Sequence, residues 1–429
     1  MKTDDKRIPG AVVLPPHFRF NFTALMVDYV AFSVGFSIIS VSTVLPAFVR
    51  TLTDSQPLIG LVGTLFSAGW FLPQLGAAAL MSGKPRKKPF MLVAVYLERP
   101  IFLLVAVALW AGLASRPSAM LAVFFTAVAL FTILDGIASV AWFDILARTI
   151  PLARRGRLVG GSQLISGLLG IGVGLLVGHI LESPALPYPH NYALLFALSS
   201  VVHFPSLIAL TLLREPQKAA GESHASLAEF TRKLGQVWRG EPDFRRLLGF
   251  RWLVGLMGLA TPFYILHATE VVGLPEAATG WFVSATMAGG VVASLWLGWL
   301  SERKGPRPVI WATGLTALLM PLLALLIHFV PLPGLEQAYV LIYFLYGMNN
   351  NLWMLGPTNY VLEMASEEQR VLYVGLYNTL GLVLVPSSVL GGFLLQATSY
   401  PALFACTTLG VAAGLLLSLG LREPQRTGR

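Results

Sequence analysis

The chain predicts an all-α integral membrane protein, with twelve transmembrane helices in two similar six-helix halves. Three observations carry that reading. Of 429 residues, 55% are hydrophobic and 12% charged, with a mean hydropathy of +0.70; soluble domains carry about a quarter charged residues. The apolar residues come in blocks of about 20, the length that crosses roughly 30 Å of hydrocarbon. The gaps between blocks alternate between basic and nearly uncharged.

The blocks place spans near 20–48, 57–81, 89–113, 117–143, 158–181, 191–213, 246–271, 277–300, 307–330, 337–363, 371–396 and 399–421. The opening MKTDDKRIPGAVVLPPHFRF lacks the apolar core and small-residue cleavage site of a signal peptide. The first span is therefore expected to stay in the mature protein. The single cysteine, Cys406, rules out an internal disulfide and a cysteine-based metal site.

The net charge of +9 is a topology signal. All lysines and arginines but Arg50, Arg99 and Arg116 fall on one set of segments: the N-terminus, the loops after spans 2, 4, 8 and 10, the 6–7 connection and the C-terminus. By the positive-inside rule these segments and both termini are cytoplasmic. A nucleic-acid role is not expected.

The halves repeat. MSGKPRKKP (81–89) matches LSERKGPRP (300–308) at an offset of 219, which also carries Asp144 onto Glu363. After the next loop the offset is 215, and Arg155, Gly160 and Gln163 fall on Arg370, Gly375 and Asn378. Several matches in register argue for a duplicated six-helix unit. The domains read as an N-terminal bundle (1–213), a cytoplasmic linker (214–245) and a C-terminal bundle (246–429). In the linker, Ser226 and Glu229 form a capping box, and Leu227, Phe230, Leu234, Val237 and Trp238 share one face. That pattern suits a helix lying on the inner leaflet.

With twelve spans, a long central loop and basic loops after spans 2 and 8, the chain resembles the major facilitator superfamily. The most specific element is GWLSERKGPRP, which looks like that family's loop motif through Gly298, Glu302, Arg303, Gly305 and Arg307. The chain departs from the family pattern at Gly83, where the first-half motif has an acid. It also lacks the family's span-4 arginine, and Leu175 replaces a proline in span 5. The resemblance implies alternating access, with spans 1 and 4 lining a central cavity and span 3 packed behind them. It also implies a cytoplasmic gate in which Asp144 pairs with Arg86, and Glu363 with Arg303 or Arg307.

Glu98 and Arg99 interrupt AVYLERPIFLL roughly 14 Å into span 3. Each charge costs about 2.5–3.5 kcal/mol at the bilayer centre on insertion scales. Neighbours on a helix point about 100° apart, so each is expected to seek a partner on another helix. Pro100 removes a helical donor from Tyr96, which predicts a kink. The available partners are Asp28 in span 1 and Asp135 in span 4, where Thr132, Asp135, Ser139 and Trp142 share a face. Asp28, Glu98, Arg99 and Asp135 are therefore candidates for the proton or substrate pathway. Span 10 adds a stripe of Tyr343, Tyr346, Asn350, Trp353 and Pro357, of which Asn350 and Trp353 are the cavity candidates. Asn349 and Asn351 read as bonds to neighbouring helices. His179, His203, His267 and His328 have no carboxylate nearby in sequence and read as structural.

The chain carries no Gly-rich phosphate loop, HExxH or nucleophile array, which excludes an ATP-driven pump and argues against an enzyme. No cofactor or metal is expected. The favoured reading is proton-coupled efflux of an amphipathic small molecule across the cell membrane, by a monomer in the lipid bilayer. The alternatives are an importer or exchanger of a polar or anionic nutrient held by Arg99, a lipid flippase, or a non-transporting assembly factor.

Overall fold

The computed structural model describes residues 14–216, 240–297, 303–330, 332–365 and 369–423. Eleven helices among these are long and apolar enough to cross a membrane. The twelfth, span 10, is interrupted: Tyr339–Leu355 ends at Gly356, and Pro357 starts a second piece, Pro357–Met364. At 17 residues the first piece alone falls just short of a full crossing. The expected linker helix and Glu302 lie outside the described residues.

Other breaks follow the same chemistry. Span 1 runs Phe18–Ile38, pauses over SVST, and resumes as Val44–Leu52. Span 3 is Lys88–Glu98 followed by Ile101–Trp110, interrupted at Arg99 and Pro100 as Pro100 predicts. Span 4 is longer than expected: Pro117–Thr149 continues past 143 and keeps both Asp144 and Arg148 on one helix.

Packing repeats between the halves. Span 1 packs on 6, 2 on 4, and 3 on both 4 and 6; likewise span 7 packs on 12, 8 on 10, and 9 on both 10 and 12. The halves meet where span 5 crosses span 8 and span 2 crosses span 11. Missing side chains allow this closeness. A Cβ on Gly280 would stand 2.4 Å from Gly174 O, and one on Gly60 would stand 2.2 Å from Ser388 O. Such small-residue contact is how helices associate in a solvent as apolar as their own side chains.

Leu75, Leu104 and Leu409, each more than 60% exposed, face outward, whereas the interior holds buried polar groups. In the C-terminal half His267 hydrogen-bonds His328 (2.9 Å) and the Tyr339 hydroxyl (2.7 Å), tying spans 7, 9 and 10. Asn349 donates to Thr313 O and Thr316 Oγ1 on span 9, and Asn351 to Gly290 O on span 8.

Candidate functional site

A cavity of about 710 Å³ lies between the halves. Phe32, Phe66, Trp70 and Phe131 line it from the first half, and Tyr346 and Trp353 from the second. A second cavity of about 150 Å³ opens beside it within the first half, lined by Asp28, Arg99, Trp142 and Ser139. Asp135 lies on the wall of both.

Span 1 carries Asp28 about 15 Å from Phe18, on its buried side. Two neighbours donate to the carboxylate: Trp142 Nε1 on span 4 at 2.7 Å, and Ser206 Oγ on span 6 at 2.6 Å. Arg99 Nη2 lies 4.0 Å from Asp28 Oδ1, and the guanidinium sits 4.5 Å above the Phe32 ring. Arg99 Nη1 also donates to Glu98 Oε1 at 2.5 Å. The expectation that adjacent charges point apart is thus corrected. The backbone is still helical through both residues, with Arg99 at φ −55°, ψ −37° and its N–H on Val95 O; the reach of the long arginine side chain, not a change of helix direction, brings its guanidinium back to Glu98.

Glu98 is fully buried, and its Oε2 has no protein partner among the described residues. Arg99 thus stands at ion-pair distance from Asp28 and Glu98, and Asp135 faces it across the small cavity that both line. On span 4, the Thr132 and Ser139 hydroxyls donate to their own helix at Val128 O and Gly136 O. Thr132 and Ser139 still line the two cavities, but Asp135 and Trp142 are the polar groups of that face not bonded to their own helix.

Of the span-10 stripe, Tyr346, Asn350 and Trp353 line the large cavity, whereas Tyr343 is buried and stacks on Phe282 at 4.4 Å. Sequence reasoning missed Ser206, Phe32 and Arg251. Arg251 was counted with the basic loops, yet it lies about 13 Å along span 7 and on the cavity wall. The signal was available: it is a charge embedded in an apolar stretch, as Arg99 is.

At the face bearing the basic loops, Asp144 binds Lys87 Nζ at 2.9 Å and Arg148 Nη2 at 2.7 Å. The expected partner, Arg86, is exposed; the next residue along the loop takes its role. Glu215 accepts the Lys87 and Lys88 backbone N–H groups at 2.8 and 3.0 Å, capping span 3. In the second half Glu363 is exposed, and among the described residues no ion pair joins it to Arg307. Arg307 instead donates to Leu419 O and lies 4.7 Å above the Trp311 ring. Gly305 adopts φ +80°, the left-handed turn that suits glycine, and Arg303 is exposed beside it.

The seam between the halves lies toward the opposite face. There Arg50 pairs with Glu270 across the halves and with Asp54 within its own. Ser284 Oγ donates to Ile171 O and Val389 N to Thr64 Oγ1. Nearest the basic face, Ser294 Oγ bonds Gln163 Oε1, about 16 Å along span 5 from Leu152. Among the described residues, the seam is closed on the face opposite the basic loops.

The family model of the Major Facilitator Superfamily matches residues 27–386 and 253–429. No curated protein matches the chain. Solved structures with the same fold include a point mutant of the nucleoside transporter NupG, with a TM-score of 0.71 and 12% identity over 94% of this chain and 99% of that one. A D-xylose-proton symporter gives a TM-score of 0.64 and 14% identity over 96% of this chain and 100% of its own. The human organic anion transporter MFSD10 (TETRAN) gives 0.61 and 16% over 94% of this chain and 100% of its own.

Proposed function

Because the chain belongs to the major facilitator superfamily, we propose that it moves an amphipathic small molecule across the cell membrane by alternating access, outward in exchange for protons. The basic face is cytoplasmic in this reading, and the cavity faces the cytoplasm. The observation that carries it is the position of Asp135, shared between the central cavity and the cavity of the Asp28–Glu98–Arg99 cluster. Three carboxyl groups face one guanidinium, so the cluster is electrically neutral only with two protons bound. A ligand in the large cavity touches one of those carboxyl groups and so is linked to the protons the cluster holds.

The roles follow from the contacts. Asp28 is the deep proton site, held by Trp142 and Ser206. Asp135 is the exchangeable group at the cavity wall, and Arg99 with Glu98 sets the charge of the cluster. Asn350 and Trp353 orient the solute from the other half. Asp144, with Lys87 and Arg148, steadies the basic face of the first half.

The test is proton movement in proteoliposomes loaded with a pH-sensitive dye, across a panel of lipophilic cations, organic anions and sugars. An active compound is expected to move protons against its own direction, at least tenfold less with Asp135→Asn or Asp28→Asn. Protons moving with the solute would indicate import by symport. Silence across the panel with the intact protein would remove the coupling assignment.

A further inference from the structure

Two charged side chains line the central cavity, Asp135 from the first half and Arg251 from the second. They differ in their surroundings. Arg99, the cation proposed from sequence to hold an anionic solute, is committed to Glu98 at 2.5 Å and Asp28 at 4.0 Å. Arg251 has no carboxylate within ion-pair distance among the described residues; its Nη1 donates to Tyr377 O at 3.0 Å. The guanidinium lies 4.1 Å over the Tyr377 ring. Gly381 makes room for it: a Cβ there would stand 2.2 Å from Arg251 Nη2.

An arginine presents five N–H donors in a planar fork that matches a carboxylate. Here Tyr377 O takes one N–H of the fork and the Tyr377 ring supports the guanidinium, and Arg251 lines the cavity. A guanidinium held in an apolar-walled cavity without a counter-ion keeps an unmet preference for an anion. A bound anion would satisfy it. The surrounding walls, Phe66, Trp70, Phe131 and Trp353, are aromatic, and about 710 Å³ accommodates a drug-sized molecule.

We propose that Arg251 is the anion-binding residue of the transport cavity, and that its ligands are amphipathic organic acids with a carboxylate on the guanidinium and a fused-ring body against the aromatic walls. The proposal rests on the transporter reading for its biological setting alone: an anion beside Asp135 favours the protonated carboxyl, so the direction of proton coupling is not carried over to these ligands.

Equilibrium binding to the purified full-length protein in lipid nanodiscs tests it. The probes are benzoate, 2-naphthoate and 1-pyrenecarboxylate, with 2-naphthamide as the neutral isostere and 2-naphthylmethylammonium as the cation. The intact protein is expected to bind 2-naphthoate at least tenfold tighter than 2-naphthamide. Arg251→Gln should bring the two within about twofold while leaving amide affinity unchanged, and Arg251→Lys should keep part of the preference. Gly381→Ala displaces only the flexible end of Arg251, so it should weaken acid binding without unfolding the helix, and it decides the matter if Arg251→Gln is not recovered monodisperse.

Equal affinity for acid and amide, tighter binding of the ammonium, no saturable binding of any of the three acids, or an acid preference untouched by these substitutions would overturn the assignment. No pH gradient enters this assay. Loss of proton coupling in proteoliposomes with intact acid selectivity would sink the antiport reading alone.

Discussion

The two halves share a helix-packing plan and use charge in opposite ways. In the first half the embedded charges are gathered: Glu98, Arg99 and Asp28 bond or face one another, and Trp142 and Ser206 complete the group. In the second half a single cation, Arg251, leans on an aromatic ring and looks into the cavity. The basic face repeats the contrast, since Asp144 is held by two cations whereas its repeat mate Glu363 is exposed. A duplicated unit has thus kept its backbone arrangement and divided its charged groups. On the reading proposed above, protons are handled by one copy and solute by the other.

The sharpest way to break this contrast is to remove the two arginines in turn. Arg99→Ala removes the cation that faces the buried carboxyl groups of the cluster, and breaking a buried pair in this way costs roughly 3–5 kcal/mol. It should appear as a large drop in thermal stability in detergent, partly restored by adding Glu98→Gln. Arg251→Gln should leave the melting temperature nearly unchanged and act on ligand binding alone. If both variants were equally unstable, the division of labour would be wrong.

Exchanging carboxyl groups sharpens the comparison next. Asp135→Asn should cut solute-driven proton movement at least tenfold while solute still binds, because the aromatic walls remain. Asn350→Ala, from the other half, should weaken solute binding a few-fold and leave the proton-to-solute ratio unchanged. Stoichiometry measured with radiolabelled solute and a pH dye separates the two.

A smaller effect is expected at the opposite face. The Arg50–Glu270 pair is about one-third exposed at each side chain, and such pairs contribute about 0.2–1 kcal/mol. Glu270→Gln should therefore raise, only a few-fold, the maleimide labelling rate of a cysteine at Thr261 approached from that face, in a Cys406→Ser background. The smallest pair of effects closes the series. Lys87→Gln should loosen the basic face of the first half by up to about 1 kcal/mol, whereas Glu363→Gln should change neither stability nor transport rate measurably.

Much of the fold was legible because a bilayer imposes a length: apolar blocks of about 20 residues report helices almost directly. Asp28, Glu98, Arg99 and Asp135 were legible for the same reason, as charges are rare where lipid is the solvent. The pairing of Arg99 with Asp28 was legible too; that of Arg99 with Glu98 was not, because helix geometry fixes where neighbouring Cα–Cβ bonds point and not how far back a long guanidinium side chain reaches. Arg251 was hidden by its neighbours, since near Arg245 and Arg246 it reads as one more cytoplasmic charge, and only depth along span 7 separates it from them. The repeat also aligned Glu363 with Asp144, but a shared register fixes where a residue stands and not which cation it meets: Asp144 binds Lys87 and Arg148, and Glu363 is exposed.

The seam has a mechanical consequence. Where spans 5 and 8 and spans 2 and 11 cross, the touching surfaces are largely bare backbone, and the directional bonds there rely on Ser284 and Thr64. Hydroxyls on a helix can turn back to a carbonyl one turn earlier. Such a joint parts at low cost: its separation gives up mostly dispersion contact and a few hydrogen bonds, of which the Ser284 and Thr64 hydroxyls can find a new partner on their own helix. On the transport reading proposed above, a molecule that rocks between two states needs a fastening of that kind, firm when shut and easily undone.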